Sequence, residues 1–100
     1  MALTPQPRLR EMILLVLRDS PAQRRSRGSV LDQLDHRWGR YWTSDDLSTP
    51  RSRPFETKWR NRASYERAKM VREGLLVGDA DGSWQLSAAG LRAAERINDR

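Results

Sequence analysis

From Arg51 to Arg72 the chain carries six arginines and two lysines against two acids, Glu56 and Glu66. Within that stretch Lys58, Arg60, Asn61, Arg62, Ser64 and Arg67 follow one another closely, and Arg51 and Arg53 stand just upstream. An arginine makes paired hydrogen bonds to guanine O6 and N7, and an asparagine makes them to adenine N6 and N7. Basic side chains ahead of a helix suit phosphate oxygens, which position a protein on a duplex without reading its sequence. The spacing therefore assigns Lys58, Asn61, Arg62 and Ser64 to base edges, Arg60 and Arg67 to their flanks, and Arg51 and Arg53 to phosphate clamping. Two bland alternatives stand beside this. Arg62 can pair with Glu66 one helical turn on, and Asn61 can be an ordinary helix-surface residue.

The formal charge of the 100 residues is +6, and residues 51–72 alone hold +6, because the segments before and after them cancel. A cationic stripe confined to one helix and its leader is the electrostatic footprint of a polyanion binder. If six of these cations meet phosphates, log K falls against log salt with a slope of about −5. Arg24, Arg25 and Arg27 fall in a stretch read as a loop, Gln23 to Gly28, where they either touch phosphate or simply face water.

Other chemistry is poorly supplied. There is no cysteine and one histidine, His36, so no metal site is expected. A glycine-rich phosphate loop is absent, and no cofactor is expected. Asp45 or Asp46 with Glu56-Thr57-Lys58 superficially matches the acid and Glu-x-Lys of metal-dependent nucleases. That chemistry needs carboxylates converging on Mg²⁺, whereas these acids fall in the first turns of helices, where they favour the dipole. An enzyme is not expected. The longest apolar run, Met12 to Leu17, is far short of the ~20 residues of a membrane span. With no leader pattern at the N-terminus, the expected location is the cytoplasm, away from membranes.

The elements that must position the basic stretch are legible from periodicity and caps, and one domain over 1–100 accommodates them. Thr4-Pro5 opens a helix whose apolar face is Leu9, Met12, Ile13, Val16 and Leu17. Ser29, with Asp32, caps a second helix buried at Val30, Leu31, Leu34 and Trp38 and ended by Gly39. Thr43 caps a short helix to about Leu47, with Trp42 and Leu47 as a hydrophobic staple, and Trp38, Tyr41 and Trp42 are assigned to the core. The basic helix runs from about 55 to 73, with Trp59, Ala63, Met70 and Val71 inward. Residues 75–86 form a two-stranded hairpin through Asp81-Gly82, with Trp84 and Leu86 on one side. Ser87 caps a last helix over 87–98. The fold class is thus mainly α with a small β-hairpin, a winged helix-turn-helix of three to five helices plus a two-stranded wing.

Trp59-x-Asn61-Arg62, Tyr65, Met70, Glu73-Gly74-Leu75-Leu76, Gly82-x-Trp84-x-Leu86-Ser87 and Gly90 resemble the N-terminal winged-helix domain of Mrr-type restriction proteins. The match covers about residues 55–92. The resemblance implies double-stranded DNA binding by a domain usually joined to a nuclease, here standing alone, as a small transcription regulator or a restriction-modification targeting module. The chain departs from the family at Asp79-Ala80-Asp81, since a wing that touches phosphate should be neutral or basic. A homodimer reading two half-sites fits a module of this size. The last helix either supplies that dimer contact or packs back on Leu9 and Ile13. A protein-interaction module without DNA contact is the competing class, because fold alone does not decide function.

Overall fold

The structure is a computed structural model that describes residues 2–78 and 81–97. Five helices run in chain order, α1 (Gln6–Arg18), α2 (Arg27–Trp38), α3 (Ser44–Leu47), α4 (Lys58–Arg72) and α5 (Ala88–Glu95). Three short strands, β1 (Arg24–Arg25), β2 (Leu76–Gly78) and β3 (Trp84–Leu86), form an antiparallel sheet in the order β1-β3-β2. The molecule is mainly helical with this small sheet on one side. Among the described residues no helix is long and apolar enough to cross a membrane.

Helix α1 is the centre of the core. It buries Leu9 and every residue from Met12 to Leu17, a run too continuous for a one-sided amphipathic helix. The cause is enclosure, since α2, α4, α5 and β3 all pack against it. Pro5, not Thr4, is its N-cap, and no side chain caps it. Thr4 is drawn off because its N–H and hydroxyl donate to Asp46 at 2.9 and 2.6 Å, tying the N-terminal segment to α3.

The cap of α2 is Ser26, whose hydroxyl accepts from the Ser29 N–H, so the helix starts earlier than the Ser29 cap expected. Two serines three residues apart offer the same cap chemistry, and the pairing of β1 with β3 brings the chain into the helix at the first. Ser29 instead accepts from Arg25 at 2.8 Å. The expected loop at 23–28 thus contains a strand and the helix start, and the sheet has three strands rather than two. Gly39 closes α2 in a right-handed conformation. A Cβ there would stand 2.9 Å from Asp35 Oδ1, so close approach rather than backbone freedom calls for glycine.

Trp42 and Trp59 stack at 4.4 Å, and the Trp42 indole N–H donates to Asp35 at 2.9 Å, which locks α2, the segment before α3, and α4 together. Trp38 and Trp42 are buried as expected, but Tyr41 and Leu47 are exposed. The capping box of α3 is real, with Asp46 rather than Leu47 as the inward anchor. Helix α4 begins at Lys58, later than the expected 55, since residues around Pro54 make turns and the Lys58 N–H donates to the Ser48 carbonyl at 2.7 Å.

The far end of α4 follows the sequence closely. Gly74, at φ +80°, lets its own N–H reach the Val71 carbonyl and the Leu75 N–H reach that of Met70, a Schellman closure. Strands β2 and β3 pair Leu76 with Leu86 and Gly78 with Trp84, so Trp84 and Leu86 face the core together. Ser87 caps α5 and its hydroxyl also donates to the Gly74 carbonyl. Gly90 is then pressed on the α4–β2 turn, where a Cβ would lie 1.9 Å from the Leu75 carbonyl oxygen. Helix α5 packs back on α1 and buries Ala94 completely, which resolves the choice left by its apolar face.

Candidate nucleic-acid interface

Helix α4 buries one stripe, Trp59, Ala63, Glu66 and Met70. With about 100° between successive residues, the remaining positions divide into two flanks and an outward face. Arg60 and Arg67 fall on one flank, Arg62 on the other. Asn61, Ser64, Tyr65, Ala68 and Arg72 point away from the core, and Lys58 and Lys69 stand where that outward face meets the Arg62 flank.

The flanking arginines are engaged by the protein itself. Arg62 Nη1 donates to the Thr4 carbonyl at 2.5 Å and lies 4.0 Å from the buried Asp46 carboxylate. It pairs with neither an open groove nor Glu66. The Glu66 side chain, 2 % exposed, accepts from Gln6 Nε2 at 2.9 Å and from Arg10 Nε at 2.5 Å. The Arg60 guanidinium lies 4.9 Å above the Trp59 ring and 3.5 Å from Asp32. Arg67 Nη2 donates to the Ser83 carbonyl at 3.3 Å, bracing α4 against the sheet.

Glu73, at the C-terminal end of α4, is half exposed and is engaged by α1, and the charges of Lys69 and Arg72 act on it as well. Arg10 forks both nitrogens onto Glu73 at 2.7 and 2.8 Å. The Glu73 hydrogen bonds and the Glu66 pair outweigh burial and hold Arg10 above its ordinary value. In turn the Arg10 hydrogen bond holds the Glu73 carboxyl below its own. Asp46 is pushed up by burial, but hydrogen bonds from the Thr4 hydroxyl and N–H and from Thr43 outweigh that and leave it below the usual carboxylate value. Both oxygens of the Asp46 carboxylate are thus occupied by donors of Thr4 and Thr43. Among the described residues no group of three or more His, Asp or Glu could hold a metal ion.

The outward face is different in kind. Lys58, Lys69 and Arg72 make no side-chain hydrogen bond or salt bridge among the described residues, and neither does Arg51 on the linker. Tyr65 is 67 % exposed between them. No acid points outward from α4, since Glu66 is its only acid and is buried. An open depression of about 350 Å³ lies beside this face, lined by Arg27, Arg53, Glu56, Asn61, Ser64 and Tyr65. Arg27 Nε donates to Ser64 at 3.0 Å and its Nη2 to Glu56 at 2.7 Å. Arg53 Nε is 3.7 Å from the other Glu56 oxygen.

The structure thus brings Lys58, Asn61 and Ser64 to one face, sets Arg53 and Arg51 on the preceding linker, and turns Arg60, Arg62 and Arg67 to the flanks. Lys69 and Arg72, basic positions outside the apolar stripe, were not among the residues assigned a contact, and Arg27 arrives from α2. Lys69 and Arg72 were readable from the period. Arg27 was not, since nothing local places α2 against α4.

Beside the helix, the described part of the β2–β3 turn is less acidic than its sequence. Asp81 accepts from the Ser83 N–H at 2.9 Å and pairs with Arg24 at 2.7 Å. Asp79 and Ala80 lie outside the described residues. Comparison with known proteins returns no match, neither among family models nor among curated proteins or solved structures.

Proposed function

We propose that the chain is a winged helix-turn-helix that binds double-stranded DNA through the outward face of α4. The observation that carries this is the set of Lys58, Lys69 and Arg72, which make no salt bridge among the described residues, on a helix whose own acid, Glu66, is buried. The element order and the β1-β3-β2 sheet support the winged-helix reading, as helix, strand, three helices (the middle one a single turn) and hairpin follow one another. So does the resemblance of residues 55–92 to the Mrr-type domain.

In this reading α4, about 22 Å long, enters the major groove, which admits one helix. Asn61 takes adenine, Ser64 a base edge, and the Tyr65 ring and Ala68 methyl pack on thymine methyl groups. Lys58, Lys69, Arg72 and Arg51 take phosphates, while Arg60, Arg62 and Arg67 hold the helix in place. Four phosphate contacts give a salt slope of about −3.6, shallower than the −5 expected for six. Two copies on adjacent half-sites would supply the affinity a single module lacks. The role is that of a small regulator or a restriction-like targeting module.

The test is the double charge reversal Lys58→Glu with Arg72→Glu. Duplex binding, measured by fluorescence anisotropy in low salt, falls by about 100-fold or more, and the melting temperature does not change. Binding that survives the reversal overturns the proposal. It would favour the interaction-module reading, for which the specific observation is the exposure of Phe55, Tyr41 and Leu47.

A further inference from the structure

We infer that Arg27, Arg53 and Asn61 form a phosphate site that Glu56 occupies in the free protein. The inference rests on the DNA-binding reading above and deepens it. The Glu56 carboxylate sits at the rim of the depression beside the outward face of α4. One oxygen accepts from Arg27 Nη2 at 2.7 Å, and the other lies 3.7 Å from Arg53 Nε. Burial pushes this carboxyl up, yet the Arg27 hydrogen bond and charge, the Asn61 amide and Arg53 outweigh it and keep the group ionised below its ordinary value.

Two guanidiniums from two elements therefore converge on one anion, Arg27 from the start of α2 and Arg53 from the linker, and Asn61 of α4 lines the same depression. Both guanidiniums remain nearly half exposed, while Glu56 is 13 % exposed. The Glu56 carboxylate takes one hydrogen bond from Arg27 and a looser ion pair from Arg53, which leaves donors of both guanidiniums open to solvent. A phosphate offers more acceptor oxygens and suits the guanidinium fork. Glu56 is then a competitor that a duplex phosphate must displace, and it sets how tightly this end of α4 engages the backbone. Displacement needs only a rotation of the Glu56 side chain toward solvent, since residues 51–55 are exposed turns.

The experiment compares duplex binding over a salt series for the wild type, Glu56→Gln, Arg27→Gln with Glu56→Gln, and Glu95→Gln, a single-charge control on the exposed side of α5. Glu56→Gln is expected to tighten binding about tenfold and steepen the salt slope by one to two, toward about −5. Glu95→Gln should change affinity less than about twofold. The gain disappears when Arg27 is also removed. A Glu56→Gln protein that melts like wild type and binds with unchanged affinity and slope overturns the inference and leaves the DNA reading standing. A gain that persists without Arg27 also overturns it, as a bulk charge effect. A DNA-independent arm follows the arginine Nε–H resonances during titration with inorganic phosphate. Shifts of Arg27 and Arg53 in Glu56→Gln, reduced in wild type, support the site even if no variant binds DNA. Absence of shifts in both proteins, with no duplex gain, overturns it.

Discussion

Lys58 and Arg62 stand four residues apart on one helix with the same charge, and their surroundings differ completely. Arg62 is turned under the N-terminal segment, its guanidinium against the Thr4 carbonyl and the edge of buried Asp46. Lys58 has no hydrogen-bond or salt-bridge partner among the described residues. The same contrast separates Arg60 and Arg67 from Lys69 and Arg72. A cluster of cations in sequence is thus two populations in space, one that fastens α4 to the body and one that remains available to a ligand. Helical period does not make this division, because residues four apart lie on one side of a helix; the N-terminal segment makes it, by reaching Arg62 through the Thr4 carbonyl.

The comparison is sharpened most by removing an inner anchor. Glu66→Ala leaves Arg10 and Gln6 facing a buried gap, and a loss of about 3 kcal/mol in urea unfolding is expected. Duplex affinity of the folded fraction is unchanged. A fall in affinity without loss of stability would show that the inner set also serves the ligand.

Asp46→Asn comes next, with a cost of about 2 kcal/mol at pH 7, since a buried carboxylate holding three hydrogen bonds is replaced by an amide that can satisfy fewer of them. The sign with pH follows from the lowered folded value. The contribution of Asp46 is complete above its unfolded value of 3.8 and is lost as pH falls through the lower folded one. Unfolding curves of wild type and variant should therefore converge as the pH drops below that value, and curves that stay parallel would remove the charge from the account.

Lys58→Met should weaken duplex binding about tenfold and leave stability within about 0.5 kcal/mol. Its counterpart Arg62→Met, the smallest effect, should cost about 1 kcal/mol of stability for the lost hydrogen bond and change affinity less than about threefold. If the two variants exchanged these signatures, the division of the helix would be wrong.

The outward half of this site was partly legible without coordinates of any kind. Asn61, Ser64 and Lys58 share a face by period alone, and the inward stripe of Trp59, Ala63 and Met70 is where amphipathic reading puts it. Glu66 escaped that reading because a carboxylate belongs to a buried stripe only when partners reach it, and Gln6 and Arg10 come from α1. The roles of Arg60, Arg62 and Arg67 escaped it for the same reason.

What the residues alone determine here is local. Gly74 stops α4 in a left-handed turn, Ser87 caps α5, Thr43 and Asp46 close a capping box, and alternation puts Trp84 beside Leu86. These are decided within a few bonds, where backbone sterics and short-range hydrogen bonds dominate. Tertiary structure alone decides β1, which exists only because β3 pairs with it. It also decides the partners of long cationic side chains, as Arg62 finds Thr4 across 58 positions and Arg10 finds Glu73 across 63. A guanidinium on a flexible stem goes to whichever acceptor the packing of the core brings near, and that packing is a property of the whole chain.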